Sequence, residues 1–392
     1  MAQTQSHTSN ALQKLAMQLL LCKDHPSSKQ EEWRYSDLNI LERDNNKIDI
    51  AACNPNIQLD EAHYYIVIVN GILDKQRLSL PKQGITLCDI ADQNFLQVNL
   101  HNGFDNKYQV LESYSRMSCG IALDIKHTLD KPLKIYYLGN AKHNCVLFVK
   151  LRKSIDIKLY EEFIGNTKNI INQTTKLELD KNAKCKHLKY HNFTECVRFL
   201  YSSKVICEAS AQYHSYSLNI GCNSYRQDVE CELQGENAAC NFYGINIGNA
   251  QQKYDVILNV SHQKSNTSSI QHYNQILADR SRGSFYTKVI IPKFLHSIKA
   301  HQLNKNLLLD ETTQAFSRPE FDIHSDDVIC SHGSTVGSID LDAMNYLKSR
   351  GINHTEAKKL ILQGFARSVF EDKGLDKKDY ELLVDKLMKY IK

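Results

Sequence analysis

No apolar run in this sequence is long enough to cross a bilayer. The best candidate, Tyr64 to Val69, falls far short of the roughly twenty residues a spanning helix needs. The N-terminus lacks a basic segment leading into an apolar one, so a secretory signal is not expected and the cytoplasm is the expected location. Charge of one sign is missing too. A net charge of +4, spread over 392 residues, offers no clustered basic face for nucleic acid. None of the twelve cysteines pair as C-x-x-C, which removes the usual support for zinc ribbons and thioredoxin-type redox sites. In a reducing compartment these thiols stay free. Cys185, Cys196, Cys207, Cys222, Cys231 and Cys240 then read as small buried apolar side chains.

Familiar catalytic signatures are also missing. The chain has no G-x-x-x-x-G-K-[ST] phosphate loop, no G-x-G-x-x-G after a strand, no G-x-S-x-G elbow and no H-E-x-x-H. His187 and His191 stand four apart, but in a segment that reads as β. Without a nearby carboxylate set, the surface is their expected place rather than a metal.

The chain holds 42% hydrophobic residues, enough for a sizeable core in two or three domains or one long repetitive one. Residues 10–22 carry Leu12, Leu15, Ala16, Leu19 and Leu20 at helical spacing. The only tryptophan, Trp33, lies in the run Glu31–Leu38 and reads as a packing anchor. Residues 62–100 look mixed, with a strand at Tyr64–Val69 and a turn at Asn70-Gly71. Residues 107–126 are expected to be helical. From 133 to 330 short β-like runs recur: Leu133–Leu138, Val146–Val149, Ile155–Tyr160, Val197–Tyr201, Tyr216–Ile220, Tyr254–Val260, Phe285–Ile291 and Phe321–Ile323. Polar corners separate them, and tight Asn-Gly or Asp-Gly turns are nearly absent. That favours a coiled parallel β-helix over a β-sandwich, although no exact repeat is visible. Three short helices follow, with Gly351, the pair Asn353 and Glu356, Gly374 and Asp376 as punctuation. The expected division is 1–126 helical and mixed, 127–337 β-helix core, and 338–392 helical.

The join between the last two parts, Ser325–Gly337, holds the most chemistry. On a strand, Cys330 and His332 point the same way. A thiolate and an imidazole on one face suit iron or zinc, but two ligands do not complete a site. Any such centre must borrow from elsewhere. The plainer alternative is a buried thiol and a hydrogen-bonded histidine at a corner, with Gly333 and Gly337 supplying unusual backbone angles.

At these residues the sequence resembles the SufB/SufD family, the scaffold subunits of the SUF iron–sulfur cluster assembly machine. The likeness is carried by Glu31–Leu38, by Ala300–Leu309, by Pro319–Gly337, and by Tyr346–Gly351 with Gln363–Ala366. It implies a mainly β fold, a right-handed parallel β-helix with helical N- and C-terminal regions. It also implies a non-catalytic scaffold that forms a heterodimer with SufB, β-helix to β-helix, and docks the ATPase SufC on its C-terminal helices. A homodimer of the isolated chain is compatible with this. No cofactor is implied for the isolated chain. The nascent cluster is implied at the joint with SufB, where His332 is the matching residue and Cys330 its neighbour. The SufB branch is the rival, but its Glu-His-Glu motif is replaced here by Ser331-His332-Gly333. Its assembly cysteine falls where Leu303 stands. A reading of a different class, a β-helix carbohydrate-active enzyme, needs two carboxylates over one groove. Asp326 and Asp327, being adjacent, face opposite ways.

Overall fold

In a computed structural model of the chain, described for residues 8–41, 57–93, 97–139, 143–165, 170–193 and 197–391, the β-like runs wind into one parallel solenoid of about seven turns. Helix α1 (Thr8–Leu21) opens the chain. Strands β1 (Tyr64–Val69) and β2 (Ile72–Ser79) form a hairpin through Asn70-Gly71. β3 (Ile85–Asp89), α2 (Tyr108–Ser115) and β4 (Cys119–Ile125) follow. The coil then runs through β5 (Leu133–Leu138), β6 (His143–Leu151), β7 (Asp156–Gly165), β8 (Ile170–Leu179), β9 (Lys184–Phe193), β10 (Val197–Cys207), β11 (Gln212–Ile220) and β12 (Cys222–Leu233). It continues with β13 (Ala239–Gly248), β14 (Lys253–His262), β15 (Ser268–Leu277), β16 (Arg282–Ile291), β17 (Ile298–Leu308), β18 (Gln314–Ile323) and β19 (Val328–Gly337). Helices α3 (Leu341–Ser349), α4 (His354–Arg367) and α5 (Lys377–Met388) close it.

Odd-numbered strands from β5 to β19 stack in one sheet, and even-numbered strands from β4 to β18 stack in the other. Every strand of the coil pairs in parallel with the strand two ahead. Cys119 lies beside Cys145, 26 residues on, and Arg282 beside Gln314, 32 on. That variable turn length hides the repeat from sequence comparison. Inward side chains form columns, one of which runs Val149, Leu177, Val205, Cys231, Val260, Val289 and Phe321. One corner of each turn is closed by a left-handed residue: Ser154, Asn182, Ser210, Asn237, Asn266 and Ser297. Their N–H groups donate up the rod, Asn182 to Ala209 O at 2.9 Å and Asn266 to His296 O at 2.9 Å. Short polar side chains tolerate that geometry, which is why Ser and Asn populate the corners.

The expected helix at 107–126 is corrected. Only Tyr108–Ser115 is helical, and Cys119–Ile125 is a strand held between β3 and β6. Pairing with two neighbours overrides local preference there. Helices α4 and α5 lie on the outer face of the odd-numbered sheet, and α3 packs against α4. Leu362, Ala366, Val369, Phe370, Leu383 and Leu387 share a core with Tyr160, Leu188, Tyr216, Tyr243 and Ile276. Asp340, Asn353 and Asp376 cap the three helices; Gly351 takes positive φ just past the end of α3, and Gly374 does so in the connection between α4 and α5. Among the described residues no helix is long and apolar enough to cross a membrane.

The tryptophan behaves as the expected anchor. Trp33 is 1% exposed and packs with Ile40, Leu41, Ile170 and Leu200. The segment 31–41 lies as a strap over the outer face of the even-numbered sheet. The Arg226 guanidinium stacks 3.6 Å from the centre of the Trp33 ring and donates to Glu32 O and Ser36 Oγ. Tyr35 stacks on Phe316 of β18, with ring centroids 4.5 Å apart.

Candidate functional site at the open end of the rod

The last two strands, β18 and β19, each end a sheet, so each has one edge without a strand partner among the described residues. Cys330 and His332 both lie on the inward face of β19, opposite Ala300 and Gln302 of β17. The strand alternation that sequence alone suggested therefore holds. The last turn has no coil above it, so inward here means toward the mouth of the rod. Cys330 is half-buried against the core, and burial pushes its thiol up despite a hydrogen bond to the Ala300 backbone. His332 is exposed, and its ring lies flat on Phe321 of β18, at 5.3 Å and 5°. The aliphatic column that began at Val149 thus ends in an aromatic platform that holds the imidazole at the rim.

The idea that Gly333 and Gly337 supply unusual angles is corrected. Neither has a positive φ, and both are extended residues of β19. Gly333 instead leaves room beside Leu303, where a β-carbon would stand 3.2 Å from Leu303 Cδ1. On the outward face Ser331 Oγ lies 2.6 Å from His301 Nδ1. Among the described residues no three His, Cys, Asp or Glu side chains gather in a way that could hold a metal ion. The rim offers a thiol and an imidazole, and further ligands would have to come from outside the described chain.

A polar file inside the rod leads to this rim. Asn219 Nδ2 donates to Asn246 Oδ1 (2.7 Å), Asn246 Nδ2 to Gln275 Oε1 (3.3 Å), and Gln275 Nε2 to Asn306 Oδ1 (2.8 Å). Asn306 Nδ2 then donates to Thr335 O of β19 at 2.9 Å. All four amides are at most 3% exposed. The ladder holds the terminal strand from within, and Asn246, Gln275 and Asn306 each accept from the preceding amide and donate onward. Nothing in the sequence marked these residues as a set, because the register that aligns them varies from turn to turn.

His187 and His191 are not on the surface. They are 0% and 4% exposed, inside the rod on β9. His187 Nε2 lies 2.8 Å from Glu161 Oε1, and its Nδ1 lies 2.8 Å from Tyr213 OH. Tyr201 OH donates to Glu161 at 2.7 Å. Burial lowers both histidines, His191 to about 3, and lowers Lys189 to about 8. The Lys189 Nζ has no hydrogen-bond partner and sits 4.9 Å over the Tyr201 ring. The carboxylate that sequence reading missed is 26 residues upstream of His187, one coil away. The alternation His187-x-Lys189-x-His191 was the available signal for a shared inward face.

Five of the six cysteines expected inside are there: Cys185, Cys207, Cys222, Cys231 and Cys240 are at most 1% exposed. Cys196 lies outside the described residues. These thiols are locked in the core and unfit as ligands.

Comparison with known proteins gives one consistent picture. The profile of the family described as SUF system FeS cluster assembly, SufBD core domain, matches residues 139–365. An iron–sulfur cluster assembly SufBD family protein of Synechocystis is 22% identical over 381 residues, covering 88% of this chain and 83% of that protein. The iron–sulfur cluster assembly protein SufD of Escherichia coli is 28% identical over 197 residues, 50% of this chain and 47% of that protein. The chloroplastic protein ABCI7 of Arabidopsis thaliana is 24% identical over 229 residues, 57% of this chain and 48% of that protein. The chain thus spans about half the length of the latter two.

Proposed function

Because the chain belongs to the SufBD family of the SUF iron–sulfur cluster assembly system, we propose that it is a SufD-type, non-catalytic scaffold whose open rim pairs with SufB and lends His332 to the nascent cluster. The cluster is the cargo of this joint. The observation that carries the reading is the placement of His332, an exposed imidazole on β19 that lies flat on Phe321 of β18, where both strands leave one edge without a strand partner among the described residues. An imidazole there can ligate iron, and SufB would supply thiolate and carboxylate. Cys330 lies one pleat deeper, half-buried with a raised thiol, and is the weaker ligand of the two.

The SufC ATPase would dock on the C-terminal helices, where Leu341 (72% exposed), Tyr346 (58%) and Leu360 (43%) present apolar side chains to solvent. ATP hydrolysis would belong to SufC, since the sequence holds no phosphate loop. Leu303 occupies the position of the SufB-type assembly cysteine and supplies no thiolate, which favours the SufD branch. The carbohydrate-enzyme alternative loses its acid pair, because Asp327 Oδ2 is taken by the Ser297 N–H at 2.8 Å. A cytoplasmic location, and self-pairing of the isolated chain through the same rim, are part of the proposal.

The test is His332→Ala in the assembled complex. The complex should still co-purify at unchanged stoichiometry, while cluster formation, followed by visible absorption and by maturation of iron–sulfur enzymes in cells, should fail. Normal maturation by the variant would overturn the role.

A further inference from the structure

The corner before β17 differs from the corners along the same edge of the rod. The corners after β6, β8 and β10 span four residues each (152–155, 180–183 and 208–211), those after β12 and β14 span five, and the final one, 324–327, spans four. The corner at 292–297 spans six. At its tip stands Phe294, 88% exposed and with φ +67°. Of the described non-glycine residues with positive φ, Phe294 alone carries an aromatic ring. A bulky side chain rarely takes that conformation, and a lone phenylalanine gains nothing from water.

The corner is held stiffly despite its length. Leu295 N donates to Ser325 Oγ at 3.0 Å, and Ser325 Oγ donates to Pro292 O. His296 N donates to Ser265 Oγ at 3.0 Å, and His296 O accepts from Asn266 N at 2.9 Å. The strained ring is therefore presented by a fixed frame. The adjoining corner ladders also end in side chains. Asp327 accepts from Ser297 N, and Asp310 and Thr312 accept from Asp279 N and Arg280 N. Several corner N–H groups at this end are thus met by side chains, while β18 and β19 each leave one strand edge without a strand partner among the described residues. An occupant that supplies two parallel strands, and not a loop or a helix, matches that pattern.

We infer that Phe294 is a preformed anchor of the end-to-end joint, inserting into a pocket on the end of a second, related β-solenoid. The inference rests on the joint proposed above and adds the residue that sets its affinity. A rigid aromatic beside a sheet edge is the kind of residue that dominates such interfaces.

The test uses the full chain with its SufB-type partner and measures both affinity and the melting temperature of the chain alone. Phe294→Gly should leave the melting temperature unchanged or raised, since glycine accepts φ +67° freely, yet weaken pairing tenfold or more. Val336→Lys, a charge at the rim where Val336 is 53% exposed, should also weaken pairing. If V336K weakens pairing and F294G does not, the anchor is refuted and the joint stands. If neither does, the joint itself is refuted. A lowered melting temperature in F294G would make Phe294 a structural residue and overturn the inference.

Discussion

Six thiols sealed inside the rod should make this protein unusually sensitive to alkali. Cys145, Cys185, Cys207, Cys222, Cys231 and Cys240 are each at most 1% exposed. Burial pushes up Cys185, Cys222, Cys231 and Cys240. A neighbouring thiol, Cys119 or Cys231, and then burial raise Cys145 and Cys207. In the unfolded chain each titrates near 8.5. A group whose folded value is raised contributes stability that is complete below the unfolded value and lost as pH climbs above it. One pH unit above 8.5, each of the five thiols raised furthest, all but Cys240, gives up about 1.4 kcal/mol, and together they give up about 7 kcal/mol. That rivals the whole stability of an ordinary domain, about 5–15 kcal/mol. Urea midpoints at pH 7.5, 8.5 and 9.5 should fall steeply across the last step. Cys222→Ala, at the thiol whose shift is due to burial alone, should remove about 1.4 kcal/mol of that fall. Of the described thiols, titration with a thiol reagent at pH 7.5 should reach exposed Cys22 and half-buried Cys88 and Cys330, and the six only after unfolding. Equal midpoints at pH 7.5 and 9.5, or prompt reaction of the interior thiols, would refute the reasoning.

Two further outcomes follow from buried charge. Lys189, held at about 8 against an ordinary 10.5, costs the folded chain about 3 kcal/mol below pH 8, and the cost fades as pH rises. The stability difference between wild type and Lys189→Met should therefore move by about 2 kcal/mol in favour of wild type from pH 7.5 to 9.5. A constant difference would show that the amine is not desolvated. Arg226→Ala removes the cation over Trp33 and two donors to the strap. It should cost about 3 kcal/mol and shift the emission of the only tryptophan to the red. Unchanged emission and midpoint would mean that the strap is held without it.

What could be read in the sequence was what depends on neighbours in the chain. The helix end at Gly351, caps at Asn353 and Asp376, and strands such as Tyr254–Val260 follow from local steric and capping rules, whereas Gly374 does not end α4, which stops at Arg367. The shared face of Cys330 and His332 follows from the two-residue period of a strand. Contacts one coil apart were invisible because the offset drifts between 25 and 32 residues. The Glu161 contact to His187 and the amide file from Asn219 to Asn306 depend on that offset, while the Phe321 platform under His332 depends on how β18 turns into β19. Strands such as β13 and β15 were missed for a related reason. Their inward positions hold Gln271, Asn246 and Gln275 where an alternating apolar signal would be sought. The strap was legible as an anchor, but its receptor, Arg226, carries no local mark at all.

The strap also changes how the rod can come apart. A stack of coils touches only its neighbours, so left alone it can fray or unzip a layer at a time. Residues 31–41 cross that grain. They touch Ile170 on β8, Leu200 on β10, Arg226 on β12, Lys253 on β14, Arg282 on β16 and Phe316 on β18. Like a splint across several vertebrae, one short segment binds six layers into a unit. Peeling the outermost layer means lifting a lever whose other end is pinned near the middle of the column. Loss of order at the mouth is thereby coupled to loss of order deep in the shaft.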